Sequence, residues 1–352
     1  MPTDLEALRE TIHAAARNNA PLRIRGRGSK DFYGERLHGD VLDLSGYHGI
    51  VDYEPTELVI TVRGGTPLSE VEAALAAAGQ LLAFEPPRYG GEGSIGGAMA
   101  TGLSGPRRAY AGAARDFILG ARVLDGNGSD LGFGGQVIKN VAGFDVSRLM
   151  VGAMGTLGVL LEVSLKTLPQ PPATVTLRYA MREADAIRTM NEWAGKPLPL
   201  SATCHAPGGL LTVRLSGAES AVRAASAKLG GEQVSGAEAF WNGLRDQTAD
   251  FFRIAKTLWR ISLPATTPPL DFPYPQVIEW GGALRWIAGD PDAAHLRTQV
   301  AAVGGHATLY RAARKSVPVF QPLPPGIATL HKRLKNALDP QGIFNPGRLY
   351  DF

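Results

Sequence analysis

Cysteine is all but missing from this 352-residue chain, where Cys204 stands alone. A single thiol forms no internal disulfide and holds no iron–sulfur cluster or zinc site, so a reducing, cytoplasmic setting is expected. Charge of one sign is missing too. Lys and Arg number 36 against 33 Asp and Glu, a balance of +3, and no basic run of the kind that tracks nucleic acid occurs. No apolar stretch approaches the ~18 residues of a membrane-spanning helix. The opening Met1-Pro2-Thr3-Asp4-Leu5-Glu6 is acidic and without an apolar core, which predicts no secretory signal. The seven histidines never fall within five residues of one another, so no local metal-binding pair is expected and metal is set aside as a cofactor.

What the chain does have is glycine, 43 residues in all, and the densest set lies between Gly90 and Gly158. With no collagen-like period and apolar flanks, such glycine serves close approach of backbone to another group. Residues 4–18 carry Leu5, Leu8, Ile12 and Ala15 at helical spacing. Short strands are expected at Pro21–Ile24, Val41–Leu44 and Leu58–Val62. A helix follows, with Ser69 as its cap, Glu72 as the capping-box partner and Gly79 as its end. Pro86 to Gly112 reads as loop, Phe117–Leu124 as a strand turned by Asp125-Gly126-Asn127-Gly128, Phe144–Met150 as a helix and Val159–Leu168 as a strand. After Gln170-Pro171-Pro172 the texture becomes α+β with a mainly antiparallel sheet. Strands are expected at Thr174–Tyr179, Ser201–Ala206, Leu210–Leu215, Leu258–Leu263, Val277–Trp280, Leu284–Ala288 and Ala307–Arg311, with helices at Glu183–Ala194, Ala218–Leu229 and Asp292–Val303. The expected division is 1–170, 171–330 and a turn-rich tail, 331–352.

Chemistry concentrates in four segments. Arg25-Gly26-Arg27-Gly28-Ser29 follows a strand directly, and a turn of this kind can point several N–H groups at phosphate oxygens. It is neither a P-loop, for want of Gly-Lys-Ser/Thr, nor a dinucleotide fingerprint, because Asp31 stands where the third glycine belongs. Gly93-Ser94-Ile95-Gly96-Gly97, running on to Thr101, Ser104 and Gly105, holds few side chains larger than a methyl or hydroxyl, so a flat polar ligand could lie against it. The third segment is Lys139–Asp145 with Gly152–Val159, and the fourth is Asp339–Arg348.

In order and spacing, these four together resemble the motifs of the vanillyl-alcohol-oxidase and D-lactate-dehydrogenase-like flavoproteins, over residues 1–170 and 331–352. The resemblance implies a PCMH-type two-part FAD-binding domain followed by a smaller α+β domain. It implies FAD held by the backbone around Arg25, Gly26, Arg27, Gly28 and Ser29 and around Gly93, Ser94, Ile95, Gly96 and Gly97. Thr101 and Ser104 would face the flavin or ribityl chain, Gly155, Gly158 and Val159 the adenine side, and Asn345 the isoalloxazine region. Attachment is expected to be non-covalent, since neither pyrophosphate segment contains His or Cys. Within that family, the short length and the stretches W-N-G-L-R-D and L-W-R-I-S-L-P look like the FAD-binding subunits of bacterial glycolate oxidases. That likeness implies oxidation of glycolate to glyoxylate in a complex with a larger FAD-containing subunit and an iron–sulfur subunit, in the cytoplasm or at the inner membrane face through the complex.

A hydroxy-acid oxidase needs a cation for the substrate carboxylate and a base for the hydroxyl proton. Arg260, Arg285 and His205 fall on expected strands and are the candidates, with Trp259, Trp280 and Trp286 as pocket walls. Two alternatives stay open: a stand-alone oxidoreductase of another small 2-hydroxy acid, and a flavin-bearing relay or assembly subunit without substrate chemistry of its own.

Overall fold

The computed structural model describes residues 4–135 and 145–351. The chain divides into two compact units. The first gathers Met1–Leu103, Ala113–Gln170 and Pro322–Phe352, and the second Ser104–Gly112 with Pro171–Gln321. The second unit thus borrows a short stretch from inside the glycine-rich region.

The first unit opens with the helix Leu5–Asn18, capped where the Asp4 carboxylate accepts the Ala7 N–H. It ends where Asn19 turns left-handed, with φ 46°. Its buried stripe of Leu8, Ile12 and Ala15 packs on Leu22, Leu42, Leu124, Val159 and Leu161. Ile343 and Phe344 complete that core, so the C-terminal tail is part of its packing. Leu8 and Ile12 are fully buried, and truncating either to Ala costs about 2–5 kcal/mol. Leu22–Arg25 pairs in parallel with Asp40–Asp43. Beside this pair lies a five-stranded antiparallel sheet in the order Ile50–Glu54, Val59–Arg63, Val159–Lys166, Ile118–Leu124, Asp130–Gly134.

Three sequence expectations change here. Ser69 does not cap the helix Leu68–Ala77. Leu68 N–H donates to Gly93 O at 2.8 Å, which starts the helix earlier, after Pro67. Ser69 then sits inside the first turn with its hydroxyl on Glu92, while Glu72 pairs with Arg88. The expected loop from Pro86 to Gly112 contains the helix Ile95–Thr101, capped by Ser94 and closed by left-handed Gly102. Glycine's low helix propensity hides it from a pattern reading. Of the expected helix Phe144–Met150, Val146–Met150 is helical, and Phe144 lies outside the described residues. The helix Pro325–Leu338 was not anticipated at all.

The second unit is an eight-stranded antiparallel sheet in the order Glu232–Gln233, Ala173–Ala180, Leu210–Gly217, Leu200–Ala206, Gln276–Glu279, Leu284–Ala288, Leu258–Ser262, His306–Arg311. The helices Glu183–Ala194 and Glu219–Leu229 pack on one face through Ile187, Met190, Val222 and Ala225. Ala293–Ala302 packs on that face at the other end, through Leu296 and Val300 against Trp259, Ile261 and Ile287.

Candidate functional site

The site is built where the strand Leu22–Arg25 runs out. Beyond Arg25 the chain turns through Gly26, Arg27, Gly28 and Ser29, with Gly28 left-handed at φ 72°. The backbone N–H groups of these four residues donate to no protein acceptor among the described residues. Successive unsatisfied amides in such a turn form a concave nest for an anion.

Opposite the turn stands Ser94, which is buried and accepts the Gly97 N–H at 3.2 Å. The two segments meet so closely that a Cβ on Gly26 would lie 2.1 Å from Ser94 Oγ. Behind them a Cβ on Gly96 would lie 2.7 Å from the carbonyl oxygen of Gly64. Glycine is therefore a packing requirement at both positions.

Two adjoining cavities open here. One is lined by the turn itself with Ser94, Gly97, Thr101, Met154 and Asn345. The other runs between Gly26, Gly96, Gly158 and Leu160. The first presents Arg25, Arg27, Lys30 and Arg348 against the single carboxylate of Asp31, a balance that favours an anionic ligand. Arg25 Nε lies 3.1 Å from Asp31 Oδ2, and Arg27 Nη1 lies 3.0 Å from Glu92 Oε2. Lys30 Nζ donates to Ser29 Oγ at 3.3 Å.

The C-terminal tail holds this arrangement in place. Asn345, left-handed at φ 42°, accepts the Ile24 N–H on Oδ1 at 2.8 Å and donates Nδ2 to Met154 O at 2.6 Å. Its own N–H donates to Leu22 O. Its amide is spent on stitching the strand before the turn to the Met154–Gly155 bend, where a Cβ on Gly155 would strike Nδ2. Arg348 donates to the carbonyls of Glu35, Asp31 and Lys30. Burial pushes its guanidinium down to about 10. The tail is in turn pinned by Lys335, whose Nζ donates to Thr156 O, Phe344 O and Asp339 Oδ2 at 2.7, 2.7 and 2.5 Å. Asp339 also accepts the N–H groups of Ile343 and Phe344.

The structure thus gathers Arg25, Gly26, Arg27, Gly28, Ser29, Ser94, Gly97, Thr101 and Asn345 around one cavity, with Gly96 and Gly158 in the next. Gly93 adjoins it through Ser29 and Lys30. Ile95 and Val159 have fully buried side chains that line neither cavity. The Thr101 hydroxyl is bonded to Gly97 O of its own helix. Ser104 belongs to the second unit and lines neither cavity. Lys30 and Arg348 are cavity residues that the sequence reading passed over, although Arg348 closes the quoted tail motif and Lys30 follows the first turn directly.

In the second unit the three catalytic candidates are not brought together. Cross-strand register aligns His205 with Ile278, Ile278 with Arg285, and Arg285 with Ile261. Arg260, one residue from Ile261, therefore points to the opposite sheet face. Arg285 is fully buried and donates to the carbonyls of Pro268 and Thr267. Burial lowers its proton affinity, with Glu183 opposing. His205 Nε2 lies 2.9 Å from Met181 O. Both are struts for neighbouring backbone. Arg260 is half-buried and lies over the Trp280 ring, 5.2 Å from its centroid, with Arg108 at 4.4 Å from the same ring. Trp280 is left-handed at φ 55° and donates Nε1 to Gly105 O at 3.0 Å. Trp259 sits in the helix-covered core, and Trp286, paired with Arg260 in register, lies on the other face. The three tryptophans form no common wall.

Comparison with known proteins fits this geometry. Residues 1–132 match the family model of the FAD binding domain. The chain is 48% identical over 345 residues to glycolate oxidase subunit GlcE of Escherichia coli (strain K12), covering 98% of this chain and 97% of that one. It is 34% identical over 140 residues to a D-2-hydroxyglutarate dehydrogenase of Xanthomonas citri pv. viticola, covering 39% of this chain and 29% of that one. The fold matches p-cresol methylhydroxylase with a TM-score of 0.73 at 17% identity, over 99% of this chain and 88% of that one. The unsatisfied amide nest, the cations around it and the Cβ-intolerant glycines suit a dinucleotide pyrophosphate. The chain belongs to the GlcE family of PCMH-type FAD-binding flavoproteins and is an FAD-dependent oxidoreductase.

Proposed function

We propose that this chain is the FAD-binding subunit of a complex that oxidises glycolate to glyoxylate and passes the electrons to a larger FAD-containing subunit and an iron–sulfur subunit. The observation that carries the reading is its end-to-end identity with a glycolate oxidase subunit. The match to a D-2-hydroxyglutarate dehydrogenase supports the 2-hydroxy-acid class. When bound, FAD supplies the electron-accepting ring. The chain's own residues bind and orient it. The N–H groups of Gly26 to Ser29 receive the pyrophosphate, and Arg25, Arg27 and Lys30 offset its charge. Gly93 to Gly97 close the other side, and Gly158 borders the adjoining cavity, which receives the adenine. Asn345 fixes the distance between the Ile24 and Met154 backbones and so the width of the cavity. Among the described residues no His, Cys or Tyr lines either cavity, which supports non-covalent binding.

Of the three polar candidates, Arg260 alone has no backbone hydrogen-bond partner among the described residues and lies instead over the Trp280 ring, and it is assigned to the substrate carboxylate. A second reading is favoured by the commitment of Arg285 and His205 to backbone carbonyls: the subunit relays electrons and its partners meet the substrate. No helix among the described residues is long and apolar enough to cross a membrane.

Anaerobic absorbance scans with glycolate separate the readings. Bleaching of the ~450 nm flavin band in the isolated chain supports direct oxidation. Bleaching only after partner subunits are added supports the relay. No bleaching in either preparation refutes both.

A further inference from the structure

We infer that the C-terminal helix Pro325–Leu338 and the cavity beside it form the docking surface for a partner subunit, which inserts an apolar side chain flanked by carboxylates. The inference rests on the multi-subunit reading above but concerns a different surface. The cavity has a volume of about 460 Å³ and is lined by first-unit residues alone, among them Leu149, Val151, Leu157, Leu334, Leu349 and Tyr350. It is distinct from the nest. Asn345 borders both, yet its amide is spent on Ile24 and Met154. A pocket of this size and apolarity takes an aromatic or branched aliphatic anchor.

The surface around it is apolar as well. Ile327, Leu330 and Leu334 recur at helical spacing, so one stripe leads into the cavity. Ile327 is 43% exposed, Leu330 58%, and Leu149 on the cavity wall 40%. These account for three of the eight large apolar side chains exposed among the described residues. Such clustering marks an interaction site more than chance exposure does.

Charge selects the occupant. The helix contains no Asp or Glu, and Lys332 and Arg333 are exposed on it. At the rim, Arg148 is ion-paired with Asp145 at 3.0 Å. A second copy of this chain would bring Lys332 and Arg333 against themselves in a two-fold contact, since such an interface apposes the same patch. An acidic, apolar segment of a different chain avoids that repulsion. A lipid surface meets a basic helix equally well, but it supplies no side chain for a concave pocket.

The test uses the full-length, FAD-loaded chain and, as probe, the larger FAD-containing subunit co-expressed with the iron–sulfur subunit from the same source. Affinity is read by biolayer interferometry for the unaltered chain, Leu330→Glu, Leu149→Glu and the double reversal Lys332→Glu/Arg333→Glu. Each variant is accepted only with unchanged flavin content and melting temperature. Leu330 and the two basic residues are exposed, so at least those variants should fold. The inference expects each to weaken association tenfold or more, with the charge reversal losing most at low salt. Unchanged affinity in Leu330→Glu and the double reversal, beside a wild type that binds, overturns the surface and leaves the functional reading standing. A wild type that binds neither subunit overturns both. Self-association, or binding to phosphatidylglycerol vesicles, that Leu330→Glu abolishes while subunit binding persists reassigns the surface and overturns the inference.

Discussion

Replacing Lys335 by Met tests how the tail controls the site. The Lys335 ammonium is buried with three acceptors, one of them the buried Asp339 carboxylate. Deleting it strands that carboxylate with only the Ile343 and Phe344 N–H groups. Breaking a buried pair from one side costs about 3–5 kcal/mol. At roughly 2–4 °C per kcal/mol for a domain of this size, the melting temperature should fall by roughly 6–20 °C. Flavin should be released at the same transition or before it, because Asp339 fixes the turn that leads into Asn345. Differential scanning with flavin fluorescence and circular dichroism as paired probes reads both effects. Adding Asp339→Leu to Lys335→Met removes the stranded charge and should recover much of the loss. A Lys335→Met chain that melts within about 1 °C of wild type and keeps its flavin would refute the reasoning. The pH sign is also defined. Burial lowers the Lys335 proton affinity below its ordinary value of 10.5, with Asp339 opposing. The folded chain therefore holds fewer protons than the unfolded chain as pH approaches 10.5 from below. The contribution of this group to stability rises with pH in that window, and is absent in Lys335→Met.

Other outcomes follow from the same geometry. Gly26→Val places a branched side chain on Ser94 and should cost ~1–3 kcal/mol in overpacking. The purified protein should be nearly colourless, read from its 450 to 280 nm absorbance ratio. Arg285→Met should destabilise by about 1.5–3 kcal/mol through lost charge-assisted hydrogen bonds, measured by urea unfolding. Arg260→Gln should leave stability within ~0.5 kcal/mol, and under the direct-oxidation reading it should raise KM for glycolate. Equal destabilisation by both changes would contradict the two-face assignment. Cys204 is fully buried and its thiol is held well above 9.0 by burial, with Glu279 adding to it. It should resist a disulfide reagent at pH 8 until the chain unfolds. Its contribution to stability is full below pH 9 and is lost as the unfolded thiol ionises above it.

The second unit was legible because its strands alternate and its helices keep a 3.6-residue period. Leu284–Ala288 and Glu183–Ala194 match the expected bounds. The first unit was harder where glycine does the packing. Ile95–Thr101 contains Gly96 and Gly97, which a propensity reading assigns to loop, yet close approach to Gly64 makes glycine obligatory at position 96. The separation of the catalytic candidates was hidden for another reason. Neighbouring strand residues face opposite ways, so Arg260 and Arg285 could be separated only once pairing register was known. Asn345 was singled out by its motif and lines the cavity. Its role as a backbone clamp depends on contacts with Ile24 and Met154, hundreds of residues away in sequence for one of them, which no local pattern encodes.

FAD binding by this chain rests on a pyrophosphate held by the Gly26–Ser29 amides. The most direct measurement is therefore titration of the flavin-free chain with FAD and, in parallel, with riboflavin, which has the same ring and no pyrophosphate. Two charge-assisted hydrogen bonds are worth about 3–6 kcal/mol, so FAD should bind roughly a hundredfold or more tighter than riboflavin. Equal affinities, or no binding of FAD, would contradict it.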